Sequence, residues 1–233
     1  MNFDLLLTEV AEVTAVSSLP GFNVCDYAGA VPEQYQSDRS RLAAYMGVEP
    51  TSLFIPRQTH SARVAVAGVD LDLQGIDALV TDRPDRVLCI NTADCLPLLM
   101  VDPQARVIGA AHCGWRGTVA QIALHTLDVM ERLGANPQHI HAVMGPCLCP
   151  DCFEVGEEVA AQFPQSVVTR CQGSRPHVNL ADTVSMQLRS RGVEHISLPI
   201  ACSKCSPIGY NSVRRQGRDW PLRTLTAIRL IAR

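Results

Sequence analysis

Apolar residues in this chain gather in short unbroken runs, and polar residues collect where the runs end. The runs at residues 87–101, 107–111, 140–144 and 225–231 lack the alternation of a half-exposed strand, so they predict strands buried on both faces. Shorter strand-like runs occupy residues 14–18, 53–55, 64–66, 77–81 and 196–200. Helical spacing replaces them at residues 37–46, where Leu42, Tyr45 and Met46 are apolar and Gly47 is the stop signal. It returns from Thr118, where Val119, Ile122, Ala123, Leu127, Met130 and Leu133 recur before Gly134 and Pro137. A third helix is expected around Val155, Val159 and Phe163.

Two of the apolar runs break in an informative way. Residues 87–101 contain a polar interruption, Asn91-Thr92-Ala93-Asp94-Cys95, followed by Pro97, which cannot donate a ladder hydrogen bond and argues for a bend. Burying Asp94 at such a bend is costly without a partner, and Arg116, Arg63 or a bound metal is the expected source of compensation. The run at 107–111 ends in His112, Cys113, Trp115 and Arg116, with Gly114 and Gly117 expected to form the turn into the next helix. In a strand–turn–helix unit, the strand's carboxyl end and the helix's amino end face one crevice.

Composition narrows the class. The 233 residues are 47% hydrophobic and 18% charged, enough for one large domain, residues 1–233, with a sizeable core. A formal net charge of −3, with basic residues scattered apart from Arg214, Arg215, Arg218 and Arg223, implies no nucleic-acid partner. The first residues have no basic segment ahead of an apolar run, and no apolar run approaches the ~18 residues of a membrane span, so no membrane partner and a cytoplasmic location are expected. In that compartment the ten cysteines read as thiols, metal ligands or catalytic groups rather than disulfides. Nothing in the sequence sets an oligomeric state.

Three elements end in a candidate ligand: His60 between two strands, Cys95 at the polar break and His112 after the strand at 107–111. Two imidazoles and a thiolate form a reasonable three-ligand zinc set with a fourth position open. No short motif links them, and a lone histidine such as His60 is more often a hydrogen-bonded structural residue. Two C-x-x-C pairs, Cys149/Cys152 and Cys202/Cys205, invite a structural zinc reading, but their separation of roughly 50 residues exceeds the ~15–20 of a zinc ribbon and argues against it. Arg214 and Arg215 beside Ser212 would suit phosphate, although a solvated loop is the commoner origin of such a pair.

Read in order, Gln58-Thr59-His60-Ser61, Thr92-Ala93-Asp94-Cys95-Leu96-Pro97-Leu98, Ala111-His112-Cys113-Gly114-Trp115-Arg116-Gly117, Gly145-Pro146-Cys147, Phe153-Glu154-Val155-Gly156-Glu157 and Ser212-Val213-Arg214-Arg215 resemble the laccase-domain family. That family, also called multicopper polyphenol oxidoreductase, is regarded as containing purine nucleoside phosphorylases with adenosine deaminase activity. The resemblance runs from about Leu53 to Ile231. It implies an α/β fold with mixed sheets flanked by helices, like the cytotoxic-necrotizing-factor catalytic domain. It also implies that His60, Cys95 and His112 are zinc ligands or catalytic groups, with copper as an alternative metal.

The expected substrates are small purine nucleosides, adenosine and inosine, with methylthioadenosine as a further candidate and phosphate as co-substrate. Arg63, Arg116, Arg214 and Arg215 are the candidates for substrate and phosphate binding, and Asp94 for stabilising the developing cationic sugar or orienting a ligand. Deamination of adenosine would be metal-assisted, although the H-x-E with P-C-x-x-C signature of the familiar zinc deaminases is absent. The family's usual amino-terminal Arg-x-Gly-Gly-x-Ser reads Ser17-Ser18-Leu19-Pro20-Gly21-Phe22-Asn23 here, and its usual Gly-Arg near the end reads Leu222-Arg223. Seven histidines with one His-x-His pair, His139 and His141, are too few for a multicopper laccase site. The rival chemistries are a single-site copper polyphenol oxidase and an amide hydrolase with Cys95 as nucleophile and His112 or His60 as base.

Overall fold

Every residue of Val87–Thr92, Leu96–Asp102 and Val107–Cys113 is buried, so these strands need cover on both faces, and the rest of the chain supplies it. The structure, a computed structural model, describes residues 3–27, 31–70 and 72–232. In chain order its elements are β1 (Phe3–Leu6), β2 (Val13–Ser18), α1 (Pro32–Met46), β3 (Leu53–Phe54), β4 (Val64–Val66), β5 (Ala78–Thr81), β6 (Val87–Thr92), β7 (Leu96–Asp102) and β8 (Val107–Cys113). There follow α2 (Trp115–Val119), α3 (Ile122–Arg132), β9 (His141–Met144), α4 (Glu157–Ala160), β10 (Val168–Thr169), β11 (His177–Val178), α5 (Leu180–Arg189), β12 (His195–Ser197), α6 (Val213–Gln216) and β13 (Thr224–Leu230).

Two mixed sheets result, one ordered β1-β2-β13-β6-β3 and the other β12-β9-β7-β8-β5-β4, with β10 and β11 as a separate ribbon. Parallel pairing is confined to β3–β6, β4–β5 and β12–β9. The period-2 alternation of buried strands divides their side chains between layers. Leu88, Ile90, Leu99, Ile108 and Ile228 join across the two sheets in one cluster. Val87, Cys89 and Leu225 meet Leu42 and Met46 of α1 on the outer side of the first sheet. Leu98, Met100 and Ala111 meet Ile122, Leu127 and Val184 of α3 and α5 on the outer side of the second. The layers are therefore helix, sheet, sheet and helix, the mixed α/β architecture that was expected. Each fully buried Leu or Ile in these clusters contributes about 1.5–3 kcal/mol. No helix among the described residues is long and apolar enough to cross a membrane.

The polar break at residues 93–95 is where the chain leaves the first sheet at the end of β6 and enters the second at β7. Pro97 is not itself the bend. It is the second residue of β7, and its carbonyl accepts from the Gly145 N–H at 3.0 Å.

Several helices depart from expectation. α1 starts at Pro32 rather than Ser37, because proline suits a first helical position and the early turns are too polar to show an apolar period. Its end at Gly47, φ 66°, is as expected. The helix expected from Thr118 is two helices, broken where Gln121 turns left-handed at φ 60°. Gly117 lies inside α2 instead of in the turn, and a Cβ there would sit 3.0 Å from the Ser61 carbonyl. The helix expected over Val155–Phe163 shrinks to Glu157–Ala160, and Val155 and Phe163 enter the core from its flanking loops.

Candidate active site

Three chain segments converge where the two sheets are joined. The β6–β7 crossing supplies Asp94, at φ 96°, and Cys95; the end of β8 supplies His112; the loop between β3 and β4 supplies His60, at φ 63°. One buried carboxylate holds two of these segments together. Asp77, just ahead of β5, accepts from the backbone N–H groups of Thr59 (3.1 Å), His60 (3.0 Å) and Ser61 (2.8 Å) and from the Ser61 hydroxyl (2.7 Å). His112 donates to the same carboxylate through Nδ1 at 2.8 Å. The expense of a left-handed His60 is thus met by three N–H bonds to a carboxylate, each charge-assisted.

With Nδ1 committed to Asp77, His112 presents Nε2 to the site. The ligand atoms of His60, Cys95 and His112 all lie within 4.8 Å of one another, and Cys95 Sγ is 3.8 Å from His60 Nε2. Gly114 is required here by proximity rather than by its backbone angles, since a Cβ would come within 2.9 Å of His60 Cδ2 and 3.2 Å of Cys95 Sγ. Gly114→Ala is accordingly expected to push these groups apart, lowering turnover and the affinity for an added divalent metal ion about 10-fold or more while the unfolding midpoint moves little. Parallel zinc titration and denaturation check this, and unchanged affinity would count against the shared cluster.

The electrostatics agree with a reactive pair. Burial pushes the Cys95 thiol up, but His112, by charge and hydrogen bond, and then His60 outweigh it and bring the thiol down to about 6. Burial pushes His112 down, while the Cys95 thiolate and the Asp77 carboxylate raise it to about 9. In metal-free protein Cys95 is therefore expected to react with iodoacetamide as a thiolate down to about pH 6, well below an ordinary thiol at about 8.5. Site-resolved mass spectrometry separates it from exposed Cys171 and Cys205. A midpoint between pH 8 and 9, or one unmoved by His112→Ala, would contradict the pairing.

Asp94 is compensated otherwise than expected. Neither Arg63 nor Arg116 pairs with it; it accepts from the Ser203 hydroxyl at 2.8 Å and the Arg214 backbone N–H at 2.7 Å. Arg63 turns away, donating to the Gln74 carbonyl at 3.3 Å, and Arg215 ties loops together through the carbonyls of Lys204 and Tyr210. Neither belongs to the cavities beside the site.

Those cavities share His60, Ala93, Cys95 and Val213 as a common wall. One, of about 290 Å³, is lined by Tyr27, Gln58, Asn91 and Arg223. The other, of about 430 Å³, is lined by Trp115, Arg116, Phe153, Arg214 and Arg218. In the first, both side-chain polar atoms of Asn91 are buried and make no hydrogen bond within 3.5 Å among the described residues. Its backbone is clamped by Gln58, which accepts from the Asn91 N–H and donates to the Asn91 carbonyl, each at 2.9 Å. In the second, the Arg116 guanidinium lies 4.2 Å from the Trp115 ring centroid. Sequence reading gave no site role to Asp77, Gln58, Asn91, Ser203 or Arg223, although Gln58 and Arg223 stand in segments compared with the family and Asn91 opens the polar break.

The donor set fits one metal ion. Two imidazoles and a thiolate, one imidazole backed by a carboxylate, form a three-ligand set with a supporting outer partner. It does not fit a multicopper cluster. His139 and His141 diverge, His139 lying 4.0 Å from Asp102 while His141 stacks on His195 with centroids 4.7 Å apart.

Comparison with known proteins agrees with this architecture. The family described as multi-copper polyphenol oxidoreductase laccase matches residues 10–228. Adenosine deaminase RL5, from an unknown prokaryotic organism, is 38% identical over 90% of this chain and 87% of its own. A purine nucleoside phosphorylase of Deinococcus radiodurans is 40% identical over 81% of this chain and 76% of its own. Among solved structures, the hypothetical protein YfiH of Bacillus licheniformis superposes with a TM-score of 0.89 at 25% identity, covering 99% of this chain and 97% of its own.

Proposed function

The chain belongs to the multi-copper polyphenol oxidoreductase laccase family, and we propose that within it the protein is a purine nucleoside phosphorylase that also deaminates adenosine. What supports this reading is that His60 and Cys95, with His112 behind them, stand on the wall shared by two cavities, one offering the Gln58 and Asn91 amides beside Arg223 and the other Arg116, Arg214 and Arg218. Phosphorolysis needs both: a pocket that recognises a base and a cationic pocket that holds phosphate, with the sugar between them.

The unpartnered Asn91 amide offers one donor and one acceptor to a purine edge, and Gln58 keeps it in place. Arg116 and Arg214 hold phosphate, replacing the wider set Arg63, Arg116, Arg214 and Arg215 expected from sequence. A phosphate oxygen bonds to the sugar C1′ as the C1′–N9 bond breaks, and the purine takes up the proton that hydrogen phosphate gives up. Asp94, fixed by Ser203 and Arg214, stands beside Cys95 with its negative charge available to the cationic sugar. A zinc or copper ion held by His60, Cys95 and His112 would supply Lewis-acid polarisation of a substrate oxygen. Asp77 keeps His112 in the tautomer that leaves Nε2 free, whichever partner it meets.

The Cys95–His112–Asp77 line favours a second reading, a thiol nucleophile with an oriented base, for which the substrate would be an amide. Adenosine incubated in phosphate buffer and in phosphate-free buffer separates the possibilities. The proposal expects adenine and ribose 1-phosphate only when phosphate is present, and inosine with ammonia in both. Adenosine left intact in both buffers would sink the nucleoside reading and leave the amide hydrolase.

A further inference from the structure

The two C-x-x-C pairs are brought together by the sheet. β9 and β12 are parallel neighbours, pairing His141 with His195 and Val143 with Ser197, so the segments that follow them leave the same end of the sheet side by side. The pairing continues past the strands as a bridge between Cys147 and Cys202, in which the Cys147 N–H donates to Ala201 at 3.3 Å and the Ser203 N–H to Cys147 at 2.8 Å. Each pair then closes on itself. The Cys152 N–H donates to the Cys149 carbonyl at 3.0 Å, and the Ser206 N–H to the Cys202 carbonyl at 3.2 Å. The large sequence separation that argued against one site is therefore spanned by a parallel strand pair.

All four sulfurs end within 4.8 Å of one another, and none is bonded to another. Cys149 and Cys205 Sγ are 4.0 Å apart. A disulfide needs about 2.05 Å, whereas four Zn–S bonds of about 2.3 Å in a tetrahedron space their sulfurs about 3.8 Å apart. The Cys149 N–H also donates to the Cys202 sulfur at 3.3 Å, a bond that favours the thiolate.

We propose that Cys149, Cys152, Cys202 and Cys205 bind one zinc ion as a tetrathiolate centre, separate from the His60–Cys95–His112 set. Four protein ligands leave no position for substrate, so the role is structural. The centre braces the active site from behind. Ser203, inside the second pair, holds the Asp94 carboxylate, and the Leu148 N–H, beside the first pair, donates to the Asp94 carbonyl at 3.0 Å. The inference rests on the sulfur geometry and not on the nucleoside reading.

Zinc K-edge absorption and native mass spectrometry on the full-length Cys95→Ala variant, purified under reducing conditions with zinc supplied, test it without interference from a Cys95-bound ion. One zinc per chain is expected, surrounded by four sulfurs at about 2.3 Å and lost in Cys95→Ala with Cys149→Ser and Cys205→Ser added. A zinc-free chain, a shell containing nitrogen or oxygen, or disulfides among these cysteines in peptide maps would overturn it. Should the multiple variant fail to fold, wild-type protein loaded with cobalt decides: sulfur-to-cobalt charge transfer of tetrathiolate intensity supports the centre, and that of a single thiolate overturns it.

Discussion

Asp77→Asn is expected to lower stability by about 2–4 kcal/mol and turnover by about 10- to 100-fold. The carboxylate is fully buried, and five donors converge on it, four from residues 59–61 and one from His112. An asparagine of the same shape must point its NH2 at one or more of those donors, which leaves buried N–H groups unpaired and the loop bearing His60 released. It also removes the charge that orients His112, so the loss reaches the chemistry as well as the fold.

The pH dependence has a definite sign. Burial pushes the Asp77 carboxyl up, but the bonds from His112, Ser61 and Thr59 prevail and hold it at about 2. A carboxyl depressed in the folded state stabilises above its unfolded value near 3.9 and loses that contribution as pH falls through the folded value. Acid unfolding of the wild type should therefore steepen between about pH 4 and pH 2, and Asp77→Asn should flatten that segment. Denaturant titrations across this range, with kcat measured near neutrality, check both effects; full stability with full activity in the variant would refute the role given to Asp77.

Cys95→Ala is expected to reduce nucleoside turnover by at least about 1,000-fold while changing stability by about 1 kcal/mol or less. Its sulfur faces both His60 and His112, and it completes the metal-capable set. Because Cys95 is only half-buried, its loss opens no large core cavity. The variant thus separates chemistry from folding more cleanly than Asp77→Asn. Appreciable nucleoside turnover in a well-folded Cys95→Ala protein would remove the thiolate from the mechanism.

How much of this was legible in the sequence follows from what each residue depends on. His60, Cys95 and His112 could be picked out as ligand types at the ends of apolar runs, but only the resemblance to the family joined them into one set, because no short spacing links residues brought together by three separate elements. The crossing between sheets also showed, as the polar break before Pro97. Asp77 did not, because an aspartate ahead of a short strand is ordinary until the loop at 59–61 curls its N–H groups around it. Asn91 stayed hidden for a like reason, since only the folded chain places its buried amide against the cavity with no close partner among the described residues. The closeness of the two cysteine pairs could not be read from linear spacing, which ignores the parallel pairing of β9 with β12. Where Arg63 and Arg215 would point was not legible either, because a cation's place in sequence says nothing of which carbonyl it will meet, here Gln74 for one and Lys204 and Tyr210 for the other.

The measurement that bears most directly on the account is ribose 1-phosphate formation from inosine, by wild-type protein and Cys95→Ala side by side, with and without phosphate. The account predicts hypoxanthine and ribose 1-phosphate in equal amounts from the wild type, only when phosphate is present, and neither from the variant above about one part in a thousand. Inosine unchanged by the wild type, cleavage that ignores phosphate, or equal rates in the two proteins would contradict it.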